Sequence, residues 1–190
     1  MVQKRNLSIS KITTAAKQLV NEDGAEQLSF SRVADVLGVR PQAMYAYFPG
    51  KEQLKVALII DFLDELTANI EKKLVGVAGE QALTIFGERL HTLLLAQPEM
   101  TRLAFGGINY RHQEVANEHL RELINLLEQL IAPYTANHTE MLNEARLFRS
   151  LVFGYVQNEL WGLFQFSPVP AQDSFEAALK QVIGTITSDS

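Results

Sequence analysis

The chain has 190 residues, 47% of them apolar and 21% charged, enough to bury a core in one compact unit or two small ones. It contains no cysteine, which excludes a disulfide scaffold, a thiolate metal site and a Cys nucleophile. The opening segment MVQKRNLSISK is charged where a signal peptide is apolar, and no apolar run reaches the length of a membrane span, so a cytoplasmic protein without a membrane partner is expected.

The net charge of −5 hides an asymmetry. Residues 1–55 carry eight Lys/Arg against five Asp/Glu, a net +3, and the remaining 135 carry nine against seventeen, a net −8. A basic head on an acidic body suits a protein that brings one end to phosphates.

Helical periodicity dominates and no sustained alternation with hairpin turns occurs, so an all-α fold of about nine helices is expected. The first helix runs from about Ser10 to Glu22, with Ile12, Ala16, Leu19 and Val20 on one face and Gly24 as a left-handed cap. A second follows the N-cap residue Ser29, carries Phe30, Val33, Ala34 and Leu37, and stops at Gly38. A short third opens at Pro41, where the missing N–H costs nothing, and ends at Phe48-Pro49-Gly50. A long fourth spans Lys51 to Leu74, with Leu54, Leu58, Phe62, Leu66 and Ile70 at four-residue steps, and fades at Gly76-Val77-Ala78-Gly79. Five more are expected at about 80–96, from Pro98 to before Gly106, 113–131, 139–164 and 173–186, the last with Phe175, Leu179, Val182, Ile183 and Ile186 as its stripe.

The densest signal is LSFSRVADVLGVRPQAMYAYFPGKEQL, residues 28–54. Two short helices joined by Leu37-Gly38-Val39 make a helix-turn-helix, with the glycine at the turn and Ala34 allowing close approach. The run Gly38-Val39, Met44-Tyr45-Ala46-Tyr47-Phe48 and Lys51-Glu52-Gln53-Leu54, with Ser29, Val33, Ala34 and Leu37 upstream, resembles the TetR family of regulators, whose pattern there is G-V-S-x-x-x-L-Y-x-H-F-x-x-K-E-x-L. Two departures, Arg40 for a capping Ser/Thr and Tyr47 for His, fall on the surface that would read DNA.

The division expected is a helix-turn-helix DNA-binding domain at 1–55, with a connecting helix 51–74, and a helical ligand-binding and dimerisation domain at 56–190. Met44 and Phe48, four apart, are expected in the core. Tyr45 faces outward towards phosphate, and Lys51 offers its ammonium and nearby N–H groups to the backbone of double-stranded DNA. Base edges fall to Arg40, Pro41, Gln42, Ala43 and Tyr47 at the front of a recognition helix, with Gln42 suited to adenine and Arg40 to guanine. Ser29, Ser31 and Arg32, at the start of the preceding helix, are also expected to bind DNA, with Ser31 and Arg32 in reach of the flanking backbone or a nearby base, and Lys4 and Arg5 are candidates for a flexible basic arm. For Arg40 and Arg32 the alternative is a solvated surface charge.

Further on, Ala96-Gln97-Pro98-Glu99-Met100 with Phe105, and Arg149-Ser150-Leu151-Val152-Phe153-Gly154 leading to Asp173-Ser174-Phe175, resemble the Trp-His-Gly type of TetR effector domain, of whose trio only Gly154 remains. That resemblance implies a homodimer through a four-helix bundle burying Leu151, Tyr155, Phe175, Leu179, Val182 and Ile183. Periodicity allows an intrachain core for the same residues. Two copies would read the halves of a palindromic operator. A pocket for a small hydrophobic or aromatic effector draws on Phe86, Leu90, Met100, Leu103, Phe105, Tyr110, Arg149, Tyr155 and Trp161, each of which also fits plain packing. The cluster His112/Glu114/Glu118/His119 reads as a wet helix surface rather than a metal site, and no metal or cofactor is expected. No catalytic triad, phosphate loop or isolated carboxylate pair appears, so an enzyme is not expected. The alternative function is a helical ligand- or partner-binding protein without an operator.

Overall fold

The computed structural model describes residues 7–165 and 168–188, which contain eight α-helices, four short 3-10 elements and no strand. Lys4 and Arg5 lie outside the described residues. The α-helices are α1 (Ile9–Asp23), α2 (Phe30–Leu37), α3 (Lys51–Leu74), α4 (Gly79–Ala96), α5 (Pro98–Gly106), α6 (Glu114–Ile131), α7 (His138–Leu160) and α8 (Ala171–Ser188). The expected third helix is present as a 3-10 helix, Pro41–Ala46, which makes nine. No described helix is long and apolar enough to cross a membrane.

Packing divides the chain into two units, Met1–Phe62 with Gln97–Asn117, and Leu63–Ala96 with Glu118–Ser190. In the first, α1 starts where the Ser8 hydroxyl accepts from the Lys11 amide at 3.3 Å, a side-chain cap for an orphan donor. Its apolar face, Ile12, Ala15, Ala16, Leu19 and Val20, is buried. α5 packs on α1 and adds the buried Met100, Leu103 and Ala104. Gly24 ends α1 with φ 84° but ψ 159°, so it turns the chain sharply rather than adding the expected left-handed helical residue.

In the second unit α4, α7 and α8 pack together. Gly87 makes this approach possible: a Cβ there would lie 2.7 Å from the Leu179 Cδ1 and 3.1 Å from the Phe148 Cζ. Beside it, the buried His91 ring stacks on Phe175 at 3.9 Å and its Nε2 lies 2.6 Å from the Glu159 carboxylate, so a polar ring deep in the core keeps a partner.

Two expectations are corrected in this unit. α7 stops at Leu160 and not near Phe164: Gly162 takes φ 70°, and the Gly162 and Leu163 amides donate back to the Glu159 and Asn158 carbonyls at 2.9 Å each, a Schellman closure. Phe175, Leu179 and Ile183, expected at a subunit interface, are only 0, 1 and 4% exposed within the single chain, so the intrachain alternative holds for them. The α8 stripe is spent on α4 and α7. Leu151, Tyr155 and Val182 are half-buried, and the Tyr155 hydroxyl donates to the Ser174 carbonyl at 3.0 Å.

Candidate nucleic-acid interface

The first unit presents residues 29–51 through two local devices. Ser29, in extended backbone, caps α2 by accepting from the Arg32 amide at 3.3 Å. At the other end Gly38 has φ 64° and ψ 39°, and the Gly38 and Val39 amides donate to the Asp35 and Ala34 carbonyls at 3.1 and 3.0 Å. A side chain at this left-handed position would cost about 1 kcal/mol or more, and the closure sets the angle at which the next element leaves. Val33 and Ala34, both 0% exposed, seal the inside of the corner.

The element after the turn is Pro41–Ala46, with Pro at its first position and Arg40 at the cap making no side-chain bond. Where the resembled family places a capping hydroxyl, this chain has an extended Arg40, and the element is the tighter 3-10 form. Met44 and Phe48 are buried and anchor it to the core. Arg40, Gln42 and Tyr45 are exposed, and Pro41, Ala43 and Tyr47 are half-buried. Tyr45 is 63% exposed, its ring held edge-on to Phe30 at 5.0 Å, which directs the hydroxyl outward.

Three residues are engaged within the chain. The Tyr47 hydroxyl donates to the Leu7 carbonyl at 2.7 Å, tying the end of the 3-10 element to the segment before α1. Arg32 pairs with Asp23 at 2.5 Å, bridging α2 to the end of α1. The Lys51 ammonium reaches the Glu26 carbonyl at 3.4 Å, while the first-turn amides of α3 carry the positive end of a 24-residue helix. Ser31 is exposed on the first turn of α2. Arg40, Gln42, Ser31, Tyr45 and Lys51 therefore belong to one unit, with Tyr47 and Arg32 bracing it.

The nine residues expected to line an effector pocket are divided between the units. Phe86 and Leu90 are buried on α4, with Phe86 edge-on to Phe148 at 6.0 Å. Met100 and Leu103 are buried in the first unit. There the Tyr110 hydroxyl donates to the Ala104 carbonyl at 2.9 Å, and burial pushes its pKa up to about 12; Phe105 is half-buried. Arg149 is half-buried on α7. Burial lowers its pKa, the Glu128 carboxylate opposes that shift, and Arg146 adds to it. Trp161, 64% exposed at the end of α7, lines no interior. The sequence reading missed a groove of about 400 Å³ between α4 and α8, floored by Leu179 and Ile183 and rimmed by Glu80, Glu88 and Glu176. Its residues are far apart in the chain, and only folding brings them together.

A basic helix-turn-helix with Arg40 and Gln42 exposed is the arrangement of a DNA-binding protein. Residues 12–58 match the model for bacterial regulatory proteins of the tetR family, and residues 83–182, more than half of the chain, match the tetracyclin repressor-like C-terminal domain. The chain belongs to the TetR family, and it is a ligand-responsive DNA-binding regulator rather than an enzyme. It is 26% identical over 165 residues to the fatty acid metabolism regulator protein of Bacillus subtilis (strain 168), covering 82% of each chain. Among solved structures, the fold is similar to the TetR regulator SCO7222 of Streptomyces coelicolor, with a TM-score of 0.76 at 16% identity over 96% of this chain and 99% of that one. It is also similar to FadR of Bacillus subtilis in complex with stearoyl-CoA, with a TM-score of 0.66 at 19% identity over 96% and 100%. The Trp-His-Gly resemblance rests on the sequence motif alone.

Proposed function

We propose that this protein is a cytoplasmic repressor that binds a palindromic operator as a homodimer and is released by a small hydrophobic or aromatic effector. Residues 1–55 serve as the DNA-binding part and 56–190 as the ligand-binding and dimerisation part. The observation that carries the reading is the exposed face of Arg40, Gln42 and Tyr45 on an element fastened from behind by Met44 and Phe48. In this reading Arg40, Pro41, Gln42 and Ala43 meet base edges. Ser29, Ser31, Tyr45 and Lys51 meet phosphates. Arg32 and Tyr47 support the surface through Asp23 and Leu7.

For the dimer, the support lies on the outward side of α7 and α8. Leu147 is 47% exposed and Leu151 and Val182 are half-buried. A Cβ at Gly154 or Gly184 would meet nothing within 4 Å inside the chain, so nothing within the chain requires either helical glycine. Glycine in a helix costs about 1 kcal/mol against alanine, and close approach by a second copy accounts for its use there. For the effector, the interior is apolar and aromatic, and a relative of the same fold was solved with stearoyl-CoA, which makes a long-chain acyl thioester the first compound to test.

The experiment is retention of fragmented genomic DNA on the purified protein, followed by sequencing. Enrichment of a common inverted repeat, lost in Arg40→Ala with Gln42→Ala, supports the reading. Retention without a shared motif would leave a helical ligand- or partner-binding protein without an operator.

A further inference from the structure

We propose that Asp64, His119 and Glu122 form a binding site for a divalent transition-metal cation, with Zn²⁺ as the fitting ion. The three residues belong to the second unit, Asp64 on α3 and the other two on α6. His119 and Glu122 are three residues apart, so both side chains leave the same face of their helix. The His119 Nδ1 lies 2.6 Å from the Asp64 Oδ1, and one ligand atom from each of the three lies within 4.8 Å of the others. They surround a depression of about 360 Å³ whose further lining, Thr67, Ala68 and Glu71, repeats the helical spacing of Asp64 along α3.

The donor set decides the kind of ion. One imidazole nitrogen with two carboxylate oxygens suits the first-row transition divalents, whereas Mg²⁺ and Ca²⁺ prefer oxygen alone. Zn²⁺ binds such donors at about 2.0–2.2 Å, which in a tetrahedron sets neighbouring ligand atoms about 3.4 Å apart. Asp64 and His119 must therefore open from 2.6 Å and Glu122 must draw in. Asp64 and His119 retain side-chain exposures of 51 and 27%, and Glu122 is exposed, so rotation of the side chains supplies both movements. The remaining position stays open to water. In its absence the imidazole N–H donates to Asp64. With the ion bound, both helices are tied through their ligands.

The test uses the untagged full chain, stripped by a chelator and titrated with Zn²⁺ by calorimetry and with Co²⁺ by visible absorption. The expected result is one Zn²⁺ per chain that excess Mg²⁺ does not displace, and Co²⁺ bands of a nitrogen and oxygen site. His119→Ala and Asp64→Asn should each weaken binding by more than the ~10–100-fold that loss of an outer-shell partner costs. Glu122→Gln, at an exposed position, serves as the variant whose folding is not at risk. His112→Ala should bind as the parent does. Absence of stoichiometric Zn²⁺ binding, or binding unchanged in Glu122→Gln and Asp64→Asn, overturns the proposal and leaves a His–Asp hydrogen bond only.

Discussion

At the scale of single residues, the proposed interface separates groups that would read bases from groups that would hold the backbone. Gln42 is exposed on an element whose back is buried, and in the proposed reading its amide is the group that meets a base edge. Gln42→Ala is expected to relax preference at one base pair per half-site by about 1–3 kcal/mol. Lys51 sits at the start of α3 with only a long contact to the Glu26 carbonyl. Lys51→Ala should weaken binding to all sequences alike and reduce the salt slope by roughly one unit. Affinities over a panel of mismatched operators at several salt concentrations separate the two, and a uniform loss for Gln42→Ala would take that residue off the reading surface. Both assignments follow from the sequence motif. The Tyr47 bond to Leu7 and the Arg32 pair with Asp23 do not, because partners 40 and 9 residues away leave no periodic trace.

At the scale of elements, the α7 and α8 faces carry opposite expectations. Phe175 and Leu179 fill the chain's own core against His91 and Gly87, so Leu179→Glu should unfold the second unit: an unpaired buried carboxylate costs several kcal/mol. Leu147 and Val182 lie on the outer side, and Leu147→Glu with Val182→Glu should give folded monomers that lose specific DNA binding. Sedimentation beside circular dichroism checks this, and a folded dimer for the double variant would place the interface elsewhere. The helices themselves were legible in the sequence, since stripes at 12, 16, 19 and 20 or at 54, 58, 62, 66 and 70 have one helical solution. Which neighbour a stripe meets was not legible, because one period serves an intrachain core and a subunit contact equally well. The 3-10 form of Pro41–Ala46 was hidden for a different reason, as the absence of a cap at Arg40 marks a weak start without naming the alternative.

At the scale of the whole molecule, α3 runs unbroken from Lys51 to Leu74 and supplies Leu54, Leu58 and Phe62 to one unit and Leu63, Leu66 and Ile70 to the other. If an effector shifts this helix in the proposed reading, the expected coupling to DNA binding is about 1–3 kcal/mol by the usual allosteric range. Binding linkage is reciprocal, so operator DNA should weaken the affinity for an effector by the same factor by which that effector weakens operator binding. Titrating any effector so found against free and operator-bound protein measures both, and equal affinities would uncouple its site from the head. The division of the chain also bears on how it is made. The first unit is interrupted: α3 leaves it after Phe62 and α5 enters it only from Gln97. At ribosomal rates of roughly 5–20 residues per second, the apolar face of α1, complete at Asp23, waits about 4–17 s for α5, complete at Gly106, to cover it. A chain that stops anywhere before α5 therefore lacks the element that covers this side of α1.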